Sequence, residues 1–387
     1  MLDTQKRENE SFNEYLLRIS DLRDSEDLTW QQVADIINNE LGFNHTEACY
    51  RRKIKFLHDV QEKALSASVD DMLLELRKEK VKLSDERTQI NAYVRKLSRE
   101  DTIKDIAYEV ADKLNSKKLL PEVKKNSYKL TRNDHVGILE IGDWHYGIVC
   151  DNFHNTYNPE IAKKRVAQLR DDVISYCDKW GVKELHVLNL ADLIAGRIHL
   201  TIRLESRFDV ITQVIEVSEI LAEMLNRLSE TMTVHYYDCL DNHSRLEPNK
   251  SDSIDLESLT RITPWFLKER LKNSNVVFHN NEYGPDIISF KVFDYDVLGI
   301  HGHQDKPLDA IAKLEPYIGK HFDLVCIAHK HHFSVDEQCG SIVVATGSLM
   351  GTDSYASKLR LHSKPSQNLI IVSDKNPVEC IHKINLD

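Results

Sequence analysis

Five short blocks between residues 142 and 331 carry aspartate, asparagine and histidine, each at the end of an apolar run. They are Gly142-Asp143-Trp144-His145-Tyr146-Gly147, Asn189-Leu190-Ala191-Asp192, Asp241-Asn242-His243, Gly299-Ile300-His301-Gly302-His303 and Ala328-His329-Lys330-His331. In an extended segment residues two apart point the same way. Asp143 with His145, and His329 with His331, can therefore each aim two donors into one cavity. Oxygen donors mixed with imidazole suit manganese, iron or zinc better than calcium or magnesium alone. One His-x-His pair is weak evidence, because a buried histidine is more often held by a backbone hydrogen bond than by a metal. Five such strand ends together predict a metal centre.

The elements that must position these blocks follow from residue 131 onward. GILEIGD and ELHVLNLADL read as strands running into loops, as does MTVHYYDCLDNH. Between them, PEIAKKRVAQLRDDVISYCDKWG and SRFDVITQVIEVSEILAEMLNRL have helical periodicity, and DLESLTRITPWFLKERL follows as a third helix. Strands then dominate: NVVFHN, IISFKVFDYDVLGIHGH, FDLVCIAHKHH, SIVVATGS and NLIIVSD. Alternation followed by hairpins predicts an α/β sandwich with mixed sheets. Functional side chains in such sheets gather past the C-terminal ends of strands.

The order Asp-x-His, Asp, Asn-His, His, His-x-His resembles the calcineurin-like metallophosphoesterase superfamily over about residues 135–375, with all five blocks filled. The resemblance implies a four-layer α/β/β/α sandwich and two divalent ions, manganese first, with iron, zinc or magnesium as alternatives. It also implies a metal-bridging hydroxide that attacks phosphorus. By the same resemblance, one metal takes Asp143, His145 and His331, and the other takes Asn242, His301 and His329. Asp192 bridges them, and His243 is the catalytic histidine beside them. In the fourth block His301 is the expected ligand and His303 the second candidate. The family usually has glycine where this chain has Ala191, Asp241 and Ala328, and often an acid where it has Ser244. Those departures bear on loop geometry, and Asp241 adds negative charge near the site. Ala345-Thr346-Gly347-Ser348 corresponds to a turn that the family carries near its site.

Basic residues cluster between the blocks: Arg197, His199, Arg203 and Arg207, then Arg245 and Lys250. With His303, Arg197, His199 and Arg245 are candidates for holding substrate phosphate. The bland reading of each is an ordinary surface charge.

Two further regions precede the catalytic one. In residues 1–60, Thr29 is a plausible N-cap for TWQQVADIINNEL, Gly42 a stop, and Asn44-His45-Thr46 an opening for TEACYRRKIKFLHDV. Two short helices around a Gly-containing turn suggest a helix-turn-helix, with Arg51, Arg52, Lys53 and Lys55 facing DNA. A solvated hairpin or an assembly module is the plain alternative. In residues 61–130, Leu76, Leu83, Ile90 and Leu97 recur every seven residues, with Leu73 and Val94 in companion positions and Lys80 and Arg87 in others. That half-formed heptad predicts a long helix, either pairing in a dimer over residues 61–115 or packing on the catalytic domain. Lys117, Lys118, Pro121, Lys124, Lys125 and Asn126 read as a linker. The catalytic region then spans residues 131–387.

Composition sets outer limits. The 387 residues suit two or three pieces, and 41% apolar residues suffice for a core. The net charge of −11 excludes a chain that binds nucleic acid by overall charge. Seven cysteines without a CxxC pair read as reduced thiols of a cytoplasmic protein. The polar N-terminus does not resemble a signal peptide, and no apolar run approaches about 18 residues, so no membrane partner is expected. The combination predicts a metal-dependent phosphodiesterase acting on DNA. The alternatives are a phosphatase or phosphodiesterase for small nucleotides or phosphoproteins, and a non-catalytic scaffold. The layout also resembles bacteriophage proteins that join an N-terminal helix-turn-helix to this catalytic domain.

Overall fold

The computed structural model describes residues 3–66, 69–124, 128–131, 134–305, 307 and 309–386. Lys125 and Asn126 of the expected linker lie outside the described residues. The chain divides into two compact units, Met1–Ser98 and Arg99–Asp387.

Local capping starts the first unit. Ser11 accepts from the Glu14 N–H while the Glu14 carboxylate accepts from the Ser11 N–H, opening α1 (Phe12–Glu26). Thr29 and Gln32 make the same reciprocal pair for α2 (Trp30–Leu41), which Gly42 ends at φ 67°. Both fall where the sequence places a cap and a stop. After α3 (Glu47–Ser66), the three helices close on one core of Tyr15, Leu16, Ile19, Val33, Ala34, Ile37, Tyr50 and Ile54. The Asn38 carboxamide locks the turn between α2 and α3, donating to the His45 carbonyl and accepting from the His45 N–H and the Tyr50 hydroxyl. Arg51, Arg52, Lys53 and Lys55 are exposed on α3. Lys53 lies 4.4 Å over the Phe12 ring.

The long helix expected in the next region is α4 (Val69–Ser116), 48 residues long. Up to Ser98 it leaves Leu73, Leu76, Leu83, Ile90, Val94 and Leu97 exposed. Beyond Arg99 it buries Ile106 and Val110 in the second unit's core. In the expected linker Lys118, Pro121 and Lys124 are exposed, and two contacts tie the segment to its surroundings. Val123 is buried and its N–H donates to the Asn273 carbonyl, and Arg270 donates to the Lys118 carbonyl.

The second unit continues with β1 (Val136–Ile141), the hairpin β2 (Cys150–Asn152) and β3 (Asn155–Tyr157), α5 (Pro159–Trp180), β4 (Glu184–Asn189), α6 (Leu200–Glu205), α7 (Val210–Ser229), β5 (Thr233–Asp238), α8 (Ile262–Arg270) and β6 (Val276–Phe278). Then come β7 (Ile287–Val292), β8 (Tyr295–Ile300), α9 (Ala310–Ile318), β9 (Leu324–Ile327), β10 (Ser334–Gln338), β11 (Ser341–Ala345), α10 (Ser354–Lys358), β12 (Ser366–Val372) and β13 (Cys380–Asn385). One sheet has the order β13-β12-β1-β4-β5-β6, and the other β10-β11-β9-β8-β7. The region is thus mixed α/β, following an all-helical N-terminal region.

Two helices are shorter than their sequence patterns. α7 begins at Val210 rather than Ser206, because the Asp209 carboxylate accepts from the Ile211 and Thr212 N–H groups and caps it there. The stretch from Asp255 breaks into short 3₁₀ turns before Ile262. Ser258 is extended and its hydroxyl takes the Thr260 N–H, a local bond that competes with the helix.

Strand alternation sends side chains to three cores. Leu139, Ile141, Leu185 and Val187 pack with Val166, Leu169, Leu221 and Leu225 of α5 and α7. On the opposite face, Val136, Ile138, Leu188 and Ile370 meet Ile288, Val297, Leu324 and Val344 of the second sheet. The far face of that sheet buries Leu298, Ile300, Val325 and Ile327 against Ile311 and Leu314 of α9.

Candidate metal centre

The five blocks occupy the C-terminal ends of β1, β4, β5, β8 and β9. Parallel pairing brings those ends level. Ile141 lies beside Asn189, Asn189 beside Asp238, and Ile300 beside Ile327. Hydrogen bonds past the strands then lace the loops together. The Asp143 and His145 N–H groups donate to the Ala191 and Asp192 carbonyls, each at 3.0 Å. The His329 N–H donates to Asp143 Oδ2 at 2.9 Å, and the His243 N–H to Asp192 Oδ1 at 3.2 Å.

The backbone there is strained. Of the ten non-glycine residues with positive φ among those described, six are Asp143, His145, Ala191, Asp192, His329 and His331, at φ between 44° and 71°. Each such conformation costs about 1–3 kcal/mol and persists only where its surroundings over-determine it. Ala191 at φ 71° shows why glycine suits that position.

Three groups of donor atoms converge. They are Asp143, His145 and His331; His145, Asp192 and His243; and Asp192, His301 and His329, the atoms of each lying within 4.8 Å of one another. Asp192 Oδ2 sits between them, 3.1 Å from His301 Nε2, 3.9 Å from His243 Nε2 and 4.0 Å from His145 Nε2. His145 Nε2 and His331 Nε2 are 3.1 Å apart, and His331 Nε2 is 3.5 Å from Asp143 Oδ1. The Asn242 carboxamide oxygen lies 3.0 Å from His301 Nε2, which is 3.2 Å from His329 Nδ1. Metal–nitrogen bonds of about 2.0–2.1 Å at tetrahedral angles put neighbouring donors roughly 3.3 Å apart, so this spacing suits shared ions.

Two observations test whether these residues fit a metal. Asp143 Oδ1 is buried without a hydrogen-bond partner, facing the His145 and His331 rings. A buried carboxylate oxygen left so costs free energy unless a cation meets it. The His301 Nδ1–H, meanwhile, donates to the Leu190 carbonyl at 2.7 Å, which turns the Nε2 lone pair inward. Electrostatics agrees. Burial opposes charge on His301, yet the Asp192, Asp143 and Asp241 carboxylates raise its pKa to about 10. Burial, then His243, depresses His145 to about 3. Excess carboxylate charge draws a proton that a divalent ion would displace. The Asp and His clusters are candidate metal-binding groups, and the donor set fits divalent ions.

His301, fully buried, points into the cluster, whereas His303 is partly exposed, 3.3 Å from the Gln304 side chain. His243 donates its Nδ1–H to the Ala195 carbonyl at 2.9 Å, leaving Nε2 toward the cluster. Asp241 does more than add charge. Its carboxylate accepts from the Asp192 N–H, the Ser244 N–H and hydroxyl, and the Thr260 hydroxyl, pinning the third loop to the second.

The basic candidates divide. The His199 ring lies 6.0 Å from that of His243. Arg245, Lys250 and His303 line a cavity of about 160 Å³ next to Asn242. There Arg245 also bonds to the Glu247 and Pro248 carbonyls. Arg207 is turned onto both oxygens of Glu160 instead. Arg197 is half-buried and Arg203 exposed.

Two positioning glutamines were not singled out from the sequence, and Ser348, part of the turn noted there, acts with them. Gln367 accepts from the Gly142 N–H at 2.8 Å, Gln213 accepts from the Gly196 N–H at 3.0 Å, and the Ser348 hydroxyl donates to the Asp143 carbonyl at 2.7 Å. The glutamines carry no local signature. Ser348 lies in the turn motif after β11 and holds the first loop from behind.

Residues 1–68 match the family described as the YonJ N-terminal domain. Over 388 residues the chain is 28% identical to the SPbeta prophage-derived uncharacterized protein YonJ of Bacillus subtilis (strain 168), covering 96% of this chain and 95% of that one. A solved archaeal phosphodiesterase is similar at 13% identity and TM-score 0.34, over 64% of this chain and 99% of that chain. Zinc-complexed Vps29 from Entamoeba histolytica is similar at 14% identity and TM-score 0.32, over 65% of this chain and 99% of that chain. The chemistry of the site rests on its own side chains.

Proposed function

We propose that the chain is a dinuclear metal-dependent phosphodiesterase whose substrate is DNA. The observation that carries this reading is the convergence of oxygen and imidazole donors from five strand ends on Asp192, with an unbonded carboxylate oxygen of Asp143 among them. The three cores support a four-layer α/β/β/α arrangement of the kind the sequence resembles.

In this reading Asp143, His145 and His331 hold one ion, and Asn242, His301 and His329 the other, with Asp192 shared. Two divalent ions held there, manganese first, would supply positive charge to phosphoryl oxygens and would acidify a water. The chain's residues do the rest. Asp192, fixed by the His243 N–H, keeps both halves at one distance. His243, with its Nδ1 proton committed to Ala195, offers Nε2 to a phosphoryl or leaving oxygen. His199, Arg245 and His303 stand where substrate phosphate would be neutralised.

The exposed cations of α3 support a DNA-facing helix-turn-helix in the first unit, though Lys53 is engaged with Phe12. The exposed Leu76, Leu83, Ile90 and Leu97 support self-association along α4. All seven cysteines are free, and among the described residues no helix is long and apolar enough to cross a membrane.

A second reading, a phosphatase or phosphodiesterase for small nucleotides, is favoured by the small cavity lined by Asn242, Arg245, Lys250 and His303. The filled donor set counts against a scaffold. The test is manganese-dependent digestion of single-stranded, double-stranded and circular DNA by wild type and His243→Ala, with bis-p-nitrophenyl phosphate alongside. DNA cleavage lost in the variant supports the nuclease. Turnover of the small diester with all DNA intact moves the assignment to the second reading.

A further inference from the structure

The hairpin of β2 and β3 carries Phe153 at its tip, 96% exposed, next to exposed His154. α10 packs on β2 and presents Tyr355, 70% exposed. The chain after α10 brings His362 against His154, ring centroids 4.4 Å apart. Lys358, Arg360 and Lys364 lie on the same segment as Tyr355 and His362, all exposed, and none of the ion pairs among the described residues involves them. Exposed rings on one surface with unpaired cations, in a chain of net charge −11, are complementary to a partner that offers flat faces and negative charge.

The hairpin is hydrogen-bonded to the segment that supports the first metal loop from behind. Asn155 donates to the Met350 and Thr352 carbonyls, and Asn152 to the Thr352 carbonyl. The same segment begins at Ser348, whose hydroxyl holds the Asp143 carbonyl. A strand lying on the rings would therefore have its register set relative to the loop of Asp143.

We propose that Phe153, His154, Tyr355 and His362, with Lys358, Arg360 and Lys364, form a stacking platform for single-stranded polynucleotide leading to the metal centre. Bases must be unstacked to lie on side-chain rings, so duplex is excluded by its own stacking. The cations follow the phosphates, and sequence preference is weak because every base has a π-face. The proposal rests on the phosphodiesterase reading for its use, but not for its test.

The test is fluorescence anisotropy in EDTA with labelled oligo(dT) and oligo(rU) of about 15 nucleotides and the matching duplex. The full chain carries Arg52→Glu and Lys55→Glu, to remove any contribution from α3. Phe153→Ala and Tyr355→Ala are each expected to weaken single-strand binding by about tenfold, and Arg360→Ala to lower the salt slope by about one. Phe153→Leu and Tyr355→Leu keep apolar bulk without a ring and should weaken binding similarly, which covers an alanine variant that melts early. Preference between oligo(dU), added as a base-matched control, and oligo(rU) identifies the sugar. Unchanged single-strand affinity in the leucine variants, or duplex bound as tightly as single strand, would overturn the platform. Wild-type turnover of bis-p-nitrophenyl phosphate with manganese, measured in parallel, reports separately on the metal centre.

Discussion

Gly196 lies against the backbone of His243 so closely that a Cβ on it would sit 2.1 Å from the His243 carbonyl oxygen. Its φ of 76° is also one that side chains rarely adopt. The close approach lets the Ala195 carbonyl reach His243 Nδ1. Gly196→Ala must therefore push the third loop away from the second. Turnover is expected to fall by about 10²-fold or more, the scale of a lost acid–base group. Retained activity toward a phosphodiester with a poor leaving group would show that His243 is not held from this side.

Ala191 offers a comparison of magnitudes. Glycine there relieves about 1–2 kcal/mol of left-handed strain. It also gives up a buried methyl of about 0.8 kcal/mol and gains unfolded-state freedom of about 0.4–1 kcal/mol. Ala191→Gly should thus be close to neutral in urea denaturation. Ala191→Val adds a β-branch at φ 71° in a buried site and should cost several times more. Equal midpoints for the two variants would contradict this account.

The fourth block separates into two roles. His301→Ala should lose about one equivalent of bound manganese, and Asp192→Asn should lose both. His303→Ala and His243→Ala should keep their metal. Elemental analysis after gel filtration reads this directly. His303→Ala is expected to raise KM for substrate more than it lowers kcat. Metal loss in His303→Ala, with none in His301→Ala, would reverse the assignment.

Away from the metal loops, His186, His235 and His279 stack with Tyr237 and Phe290 beside Glu184. Burial, then His186, depresses His235 to about 4, and burial lowers His186 and His279 as well. Groups held neutral in the folded chain take up protons on unfolding below their ordinary pKa near 6.5. Their contribution is intact above that value, and is lost as pH falls from about 6.5 toward 4. The melting temperature should decline over that window, and His235→Gln should flatten the decline. An unchanged slope in the variant would remove His235 from the explanation.

The stripe on α4 predicts assembly. Leu83→Glu with Ile90→Glu places charge in the middle of it and should lower the sedimenting mass of the full chain. A wild type that already sediments as a monomer would remove self-association along this helix.

Much of this was legible in the residues, because the signals are local. Thr29 and Gly42 bound α2 through a side-chain bond and a left-handed φ that need no tertiary partner. The strand-to-loop blocks show Asp143, Asp192, His243, His301 and His329 because apolar runs ending in donors follow from strand chemistry. The sequence also showed the period of Leu76, Leu83, Ile90 and Leu97, though not what covers it. Only the fold decided which donors meet. The parallel register of β1, β4 and β5 makes Asp192 the centre, and β8 with β9 turns His301 inward while leaving His303 at a cavity. Gln367 and Ser348 act from far along the chain, and Gln213 from the helix that follows the second loop, with no local signature to show it. Burial also determined charge: the carboxylates gathered at His301 raise its pKa, and desolvation lowers that of His145. Those effects depend on distances between side chains far apart in sequence, which local pattern does not contain.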